Sequence, residues 1–281
     1  MKIIMTLLVR DEEDILKQNI DFHLSQGVDF IIATDNLSVD STKNILKEYE
    51  YHGKLRYIFE ERDNYNQHEW VTKMARMAAS EYGADWVINN DADEFWLPNK
   101  STIRETLSSL SDDINVVVAH RNNMVYLGAD KSEQPFYMNM IYKDLLSLNP
   151  LGTPLPPKCA HRANVEVIVE QGNHKICGIG KQNIAMSLIE ILHFPIRTEI
   201  QLLNKIVKGG AAYSRNNELS PGVGRTWREL YSNYQSSGNL DEYIKSQSYD
   251  NAKLNLEIKS GKLVKETRLK NYMSNLYATL I

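Results

Sequence analysis

Asp91 and Asp93 stand one residue apart in the run WVINNDADEFWLP. That spacing lets two carboxylates reach one hard cation through a tight turn, directly or through water. Oxygen ligands of this kind suit Mg²⁺ or Mn²⁺, which keep open positions for substrate phosphates. The plainer alternative is a polar turn after a strand, with Asp93 capping whatever follows. Asp35, in TDNLSVDST, offers a carboxylate that can accept a hydrogen bond from a nucleobase N–H or a ribose hydroxyl. For Asp40 in the same stretch the capping role is preferred, together with Ser41. Arg10 ends the first apolar run, where a guanidinium can meet a phosphate or a base, or pair at the surface with Asp11 or Glu12. His193 opens HFPIR, with Arg197 one helical turn on and Lys205 beyond, types that can build an anion site.

The elements that must position these groups follow from periodicity. Residues 2–9 form a nearly continuous apolar run, as in a strand buried on both faces. Asp11 then reads as a helix N-cap, with Ile15, Leu16, Ile20, His23 and Leu24 at helical spacing and Gly27 as the stop. Strands are expected at 28–34, 54–60 and 84–90, and helices at 41–51 and 67–82, the latter with Trp70, Met74, Met77 and Ala78 on one face. Strand–helix alternation with short connections predicts an α/β fold, a doubly wound and mainly parallel sheet with helices on both faces. Ligands of such sheets bind outside the carboxyl ends of the strands. Arg10-Asp11, Asp35-Asn36 and Asp91-Ala92-Asp93 all fall there.

The second half is less regular. Strands are expected at 114–120, 163–170 and 188–193, a helix at 199–214, and a loop at 146–158 where Pro150, Pro154, Pro156 and Pro157 prevent regular structure. Net charge is −4, from 32 Lys and Arg against 36 Asp and Glu, which excludes a global basic footprint for nucleic acid. Nothing approaches the roughly 18 consecutive apolar residues of a spanning helix. The two cysteines, Cys159 and Cys177, make no disulfide framework, and a reducing cytoplasmic setting is the expectation. The spacings among Cys159, His161, His174 and Cys177 are poor for zinc. Residues 245–270 carry seven Lys or Arg and three Asp or Glu, a local +4 by subtraction. That stretch offers a peripheral contact with the inner face of an anionic membrane, or simply a solvated helix face.

LLVRDEEDIL, GVDFIIATDNLSVDST and ADWVINNDADEFWLP together resemble the nucleotide-binding half of glycosyltransferase family 2 and its relatives with the GT-A fold. KCAHR, QGNH and ILHFPIR resemble a bacterial branch of that group, so the match spans roughly the first 215 residues. The resemblance implies a GT-A-like catalytic domain over 1–281. Residues 1–120 would bind the nucleotide sugar, an irregular part at 121–215 would bind the acceptor and complete the metal site, and 216–281 would be a helical extension. It implies inverting transfer of a sugar from a nucleoside diphosphate, with Mn²⁺ or Mg²⁺, to a hydroxyl of a glycan or lipid-linked glycan. Asp91, Asp93 and His193 would hold the metal. Arg10, Asp35, Asp91, Arg197 and Lys205 would meet the donor. His174 in QGNH would be the base that takes the acceptor proton, with Glu170 as the alternative and a purely structural His174 as the plainer one. Asp11 departs from the Asn that many relatives carry. The rival readings are a nucleotidyltransferase using the Asp pair for two metals, and a non-catalytic nucleotide-sugar-binding module.

Overall fold

The computed structural model describes residues 1–281 except 100, 129–133, 150, 221, 280 and 281. Strands β1 (Ile3–Val9), β2 (Phe30–Asn36), β3 (Leu55–Glu60) and β4 (Trp86–Asp91) alternate with helices α1 (Leu16–Ser25), α2 (Thr42–Tyr51) and α3 (Gln67–Ser80). Next come β5 (Glu94–Pro98), α4 (Ile103–Ser108), β6 (Val116–Asn123), α5 (Phe136–Asn139), β7 (Tyr142–Asp144) and β8 (Lys158–Arg162). The chain continues through β9 (Ile168–Val169), β10 (Ile176–Cys177), β11 (Ile184–His193), α6 (Glu199–Arg215), α7 (Arg225–Ser237), α8 (Asp241–Gln247), α9 (Asn251–Lys259), β12 (Leu263–Lys265) and α10 (Arg268–Ala278).

Two compact units result. One comprises residues 1–121 and 156–191, the other 122–155 and 192–281. The first is built on an eight-stranded sheet of order β3-β2-β1-β4-β8-β6-β11-β5. Strands β3, β2, β1 and β4 are parallel neighbours. β8 runs against both β4 and β6, so β6 points the same way as β4. The mainly parallel α/β sheet expected from the sequence is therefore present. Helices cover both of its faces. On one, Ile4, Leu8, Ile32, Val87 and Cys159 pack against Trp70, Val71, Met74, Ala75 and Ala78 of α3. On the other, Asn90 meets Asn19 of α1, as alternation along a strand requires.

Several local expectations change. Helix α1 begins at Leu16 with no side-chain cap. Asp11 instead stands at φ +53° and joins two loops. Its amide donates to Ser38 Oγ (3.0 Å), and its Oδ1 accepts from the Val39 amide (2.8 Å). The amides of Glu12 and Glu13 likewise donate to Thr42 Oγ1 and Asp40 Oδ2, so neighbouring-loop side chains satisfy the donors a helix cap would have served. The strand expected over 163–170 shortens to Ile168–Val169, and Lys158 belongs to β8 and not to the preceding loop.

In the second unit β7 pairs antiparallel with β12. Helix α6 is capped by Thr198, whose hydroxyl accepts from the Gln201 amide. It packs closely on α7: a Cβ at Gly210 would stand 2.3 Å from Tyr231 Cβ and 2.8 Å from the Trp227 carbonyl oxygen. Four of the seven basic residues in 245–270 are engaged locally. Lys253 donates to the carbonyls of Ser246 and Ser248, Lys262 pairs with Glu257, Arg268 with Glu266, and Lys270 donates to the Met138 carbonyl. Among the described residues no helix is long and apolar enough to cross a membrane.

Candidate active site

The polar clusters read from the sequence meet at the carboxyl end of β1. Its Val9 is in register with Asp35 of β2, and its Leu8 with Asp91 of β4. The two aspartates flank one strand, about 10 Å apart by two inter-strand spacings. They leave the sheet on opposite faces: the Thr34 hydroxyl touches Met74 of α3, which turns Asp35 the other way, whereas Asp91 meets Gln67 on α3. One ligand can reach both only across the end of β1.

Asp35 is fully buried. Its Oδ1 accepts from the Ser38 amide (3.0 Å) and its Oδ2 from the Tyr57 hydroxyl (3.1 Å). Burial, with the adjacent Asp35 charge, pushes the Tyr57 phenol up to about 12. Arg10 donates from Nη1 to Asp63 Oδ1 (2.6 Å), in place of the pairing with Asp11 or Glu12 weighed from the sequence.

Asp91 is the last residue of β4, and both its oxygens have donors. Oδ1 accepts from Gln67 Nε2 (3.3 Å) and Asn173 Nδ2 (3.1 Å), and Oδ2 from the Lys158 ammonium. Lys158 is 1% exposed and also lies 3.4 Å from Oε1 of the fully buried Glu94, which Arg121 Nη1 meets at 3.2 Å. Sequence reading missed this charge cluster. The available signal was a lysine directly after prolines and before Cys159 and Ala160, where a buried cation must find carboxylates within the fold. Asp93 follows in the β4–β5 turn, itself buried.

QGNH has a different place from the one expected. Gln171 Oε1 accepts from the His68 amide at the start of α3 (3.0 Å), and its Nε2 donates to the Tyr65 carbonyl (3.2 Å). Gln67 Oε1 accepts from the Gly172 amide (3.1 Å), so Gln67 ties this turn to Asp91. Gly172 has φ +80°, and a Cβ there would stand 2.4 Å from His174 Nε2. His174 faces the Pro157 carbonyl through Nδ1 (3.0 Å). Burial, then the charges of Lys158 and Arg121, lower it to about 3. Burial thus disfavours the protonated ring, which counts against His174 as the group that takes up a proton near neutral pH. QGNH docks α3 and the end of β4. Glu170 just before it is exposed, with its backbone bonded to Lys175 and Asn173.

The remaining sequence candidates lie in the second unit. His193 ends β11, with Nδ1 2.7 Å from Asn123 Oδ1. Arg197 is buried and donates to the Phe194 carbonyl (2.9 Å), while Lys205 is a half-buried residue of α6.

Residues 5–182 match the family model described as glycosyltransferase family 92, which is a glycosyltransferase family as the resemblance implied, although the resemblance named family 2. No curated protein matches. Among solved structures, the chain is similar to S. aureus TarS residues 1–349 in complex with UDP-GlcNAc, at 11% identity and TM-score 0.48, covering 84% of this chain and 73% of that one. It is similar, at 20% identity and TM-score 0.29, to Mycobacterium tuberculosis glucosyl-3-phosphoglycerate synthase in complex with Mn²⁺, UDP and glucosyl-3-phosphoglycerate, over 43% of this chain and 44% of that one.

Proposed function

The chain belongs to glycosyltransferase family 92 and is a glycosyltransferase; from that premise we propose that it transfers a sugar from a nucleoside diphosphate to a hydroxyl of a glycan or lipid-linked glycan, with inversion and with a divalent cation. The observation that carries this reading is the convergence of Arg10, Asp35 and Asp91 around the carboxyl end of β1, the place where α/β sheets of this kind bind ligands. Membership also removes the nucleotidyltransferase alternative.

Asp93 supplies a carboxylate oxygen, the kind of ligand that a hard cation such as Mn²⁺ or Mg²⁺ takes. Asp91 is less available, because Lys158, Gln67 and Asn173 already occupy its oxygens. Asp93 would hold Mn²⁺ or Mg²⁺, and the cation, when bound, would stabilise negative charge on the departing diphosphate. Asp35 would take the nucleoside. Arg10 is the cation proposed to meet the donor's phosphates or base at the end of β1. Lys158 fixes the Asp91 carboxylate at the strand end. Of the two bases considered, Glu170 is retained, because it is exposed and His174 is not basic enough.

Titration calorimetry of UDP and GDP, with Mn²⁺, with Mg²⁺ and with chelator, tests the proposal. The expected result is metal-dependent binding that Asp93→Asn abolishes in a folded protein. Affinity that ignores both chelator and Asp93→Asn overturns the metal assignment, and no nucleotide binding at all overturns the function.

A further inference from the structure

Helix α1 buries Leu16, Ile20 and His23 on one face, and Asn19 on the same face is fully buried. A carboxamide in such a stripe costs free energy unless every donor and acceptor is matched. Here they are. Asn19 Nδ2 donates to the Ala92 carbonyl (2.9 Å) and to the Glu94 carbonyl (2.7 Å), and Oδ1 accepts from Asn90 Nδ2 (3.0 Å). Asn90 Oδ1 in turn accepts from Trp96 Nε1 (2.9 Å). The ring of His23, which burial lowers to about 4, sits on the Asn19 carbonyl through Nδ1 (2.8 Å) and accepts the Trp96 amide at Nε2 (3.4 Å).

The two carbonyls that Asn19 grips lie on either side of Asp93. We infer that Asn19 is a positioning residue that fixes the Asp93 carboxylate by clamping the backbone of the β4–β5 turn. A β-turn of two residues between strands has several conformations of similar energy. Pinning both flanking carbonyls to one rigid planar group leaves the Asp93 Cα–Cβ bond a single direction. The role of that direction rests on the proposed binding of the donor and its cation by Asp93.

The test compares wild type with Asn19→Leu, which keeps the volume and the apolar stripe but offers no donor, and with Ile20→Val, which loosens the same helix face without touching the turn. Two quantities are read: hydrogen exchange of the amides of residues 91–95, and affinity for UDP in Mn²⁺. Asn19→Leu is expected to speed exchange in 91–95 and to weaken Mn²⁺-dependent UDP binding at least tenfold, leaving any metal-free binding unchanged. Ile20→Val should lower the melting temperature with neither effect. Should Asn19→Leu fail to fold, Trp96→Phe removes the next donor in the chain of amides and should give the same two effects at two- to fivefold. A folded Asn19→Leu or Trp96→Phe protein with unchanged exchange and affinity overturns the inference. Wild type that binds no UDP with Mn²⁺ overturns the reading of the function instead, and the exchange data then decide the clamp alone.

Discussion

Replacing Lys158 by methionine keeps the hydrophobic stem and deletes the ammonium that lies against Asp91 and Glu94. At 3.4 Å from Glu94 Oε1, the attraction is about 5 kcal/mol with an effective dielectric near 20. Part of that is returned, since the variant no longer buries a lysine. What remains is the cost of a fully buried carboxylate that has lost one cation, with Arg121 still 3.2 Å away. Stripping one partner from a buried pair costs about 3–5 kcal/mol. For a chain of this size that lowers the melting temperature by about 6–20 °C. Urea denaturation at pH 7.5 and at pH 5 is the assay. Acid should shrink the deficit, because protonating a carboxylate removes the charge that the lysine neutralises. The variant should also raise His174 from about 3, Lys158 being the second cause of its lowering, yet leave it below 6.5 because burial is the first. Proton NMR of the ring reads this directly. A loss under about 1 kcal/mol at pH 7.5, or a deficit that grows on acidification, would show that Lys158 does not neutralise this cluster.

Asp35→Ala removes an acceptor worth about 1.5–3 kcal/mol to a nucleoside N–H or hydroxyl, so UDP should bind about tenfold more weakly or worse. It should also lower the Tyr57 phenol from about 12, partway because burial persists. Normal UDP affinity in this variant would place the nucleoside elsewhere. His23 and His161 are lowered to about 4 and His174 to about 3, burial being the largest cause in each. The unfolded chain therefore binds up to three more protons than the folded one between about pH 6.5 and pH 4. Stability from this source is complete above pH 6.5 and lost as pH falls through that window, at up to about 4 kcal/mol per pH unit. Urea midpoints that do not change between pH 7 and pH 5 would refute that account.

The alternation of strands and helices was legible because β1 to β4 are buried parallel strands that need continuous apolar runs, and each run ended in a polar residue whose type was informative. Arg10, Asp35 and Asp91 were placed at neighbouring strand ends that way. Asp11 misled because an acid before a helical pattern resembles a cap, while the real partner, the loop after β2, is remote in sequence. QGNH is harder to read for a related reason: its histidine looks reactive in one dimension, and only the fold shows Gln171 holding the first turn of α3. Lys158 was missed because it closes a proline-rich segment read as a loop, and Asn19 because it is a polar residue within an apolar helical stripe. Periodicity treats such a residue as noise, whereas its meaning lies in partners 67 and 73 to 75 positions away.

The sheet order has a consequence for how the chain comes to be folded. Strand β8 lies between β4 and β6, although both precede it in sequence. The sheet on which the site stands therefore cannot close while synthesis is short of residue 162. Until then β4 and β6 present unpaired edges of buried, β-branched sequence, which are templates for pairing with other chains. The loop closed when β8 inserts is long, and forming such contacts is entropically slow. Because β8 brings Lys158 to Asp91 and Glu94, the same event that joins β4 to β6 also neutralises the acidic end of β4. The other edge of β6 stays open until β11 inserts between it and β5.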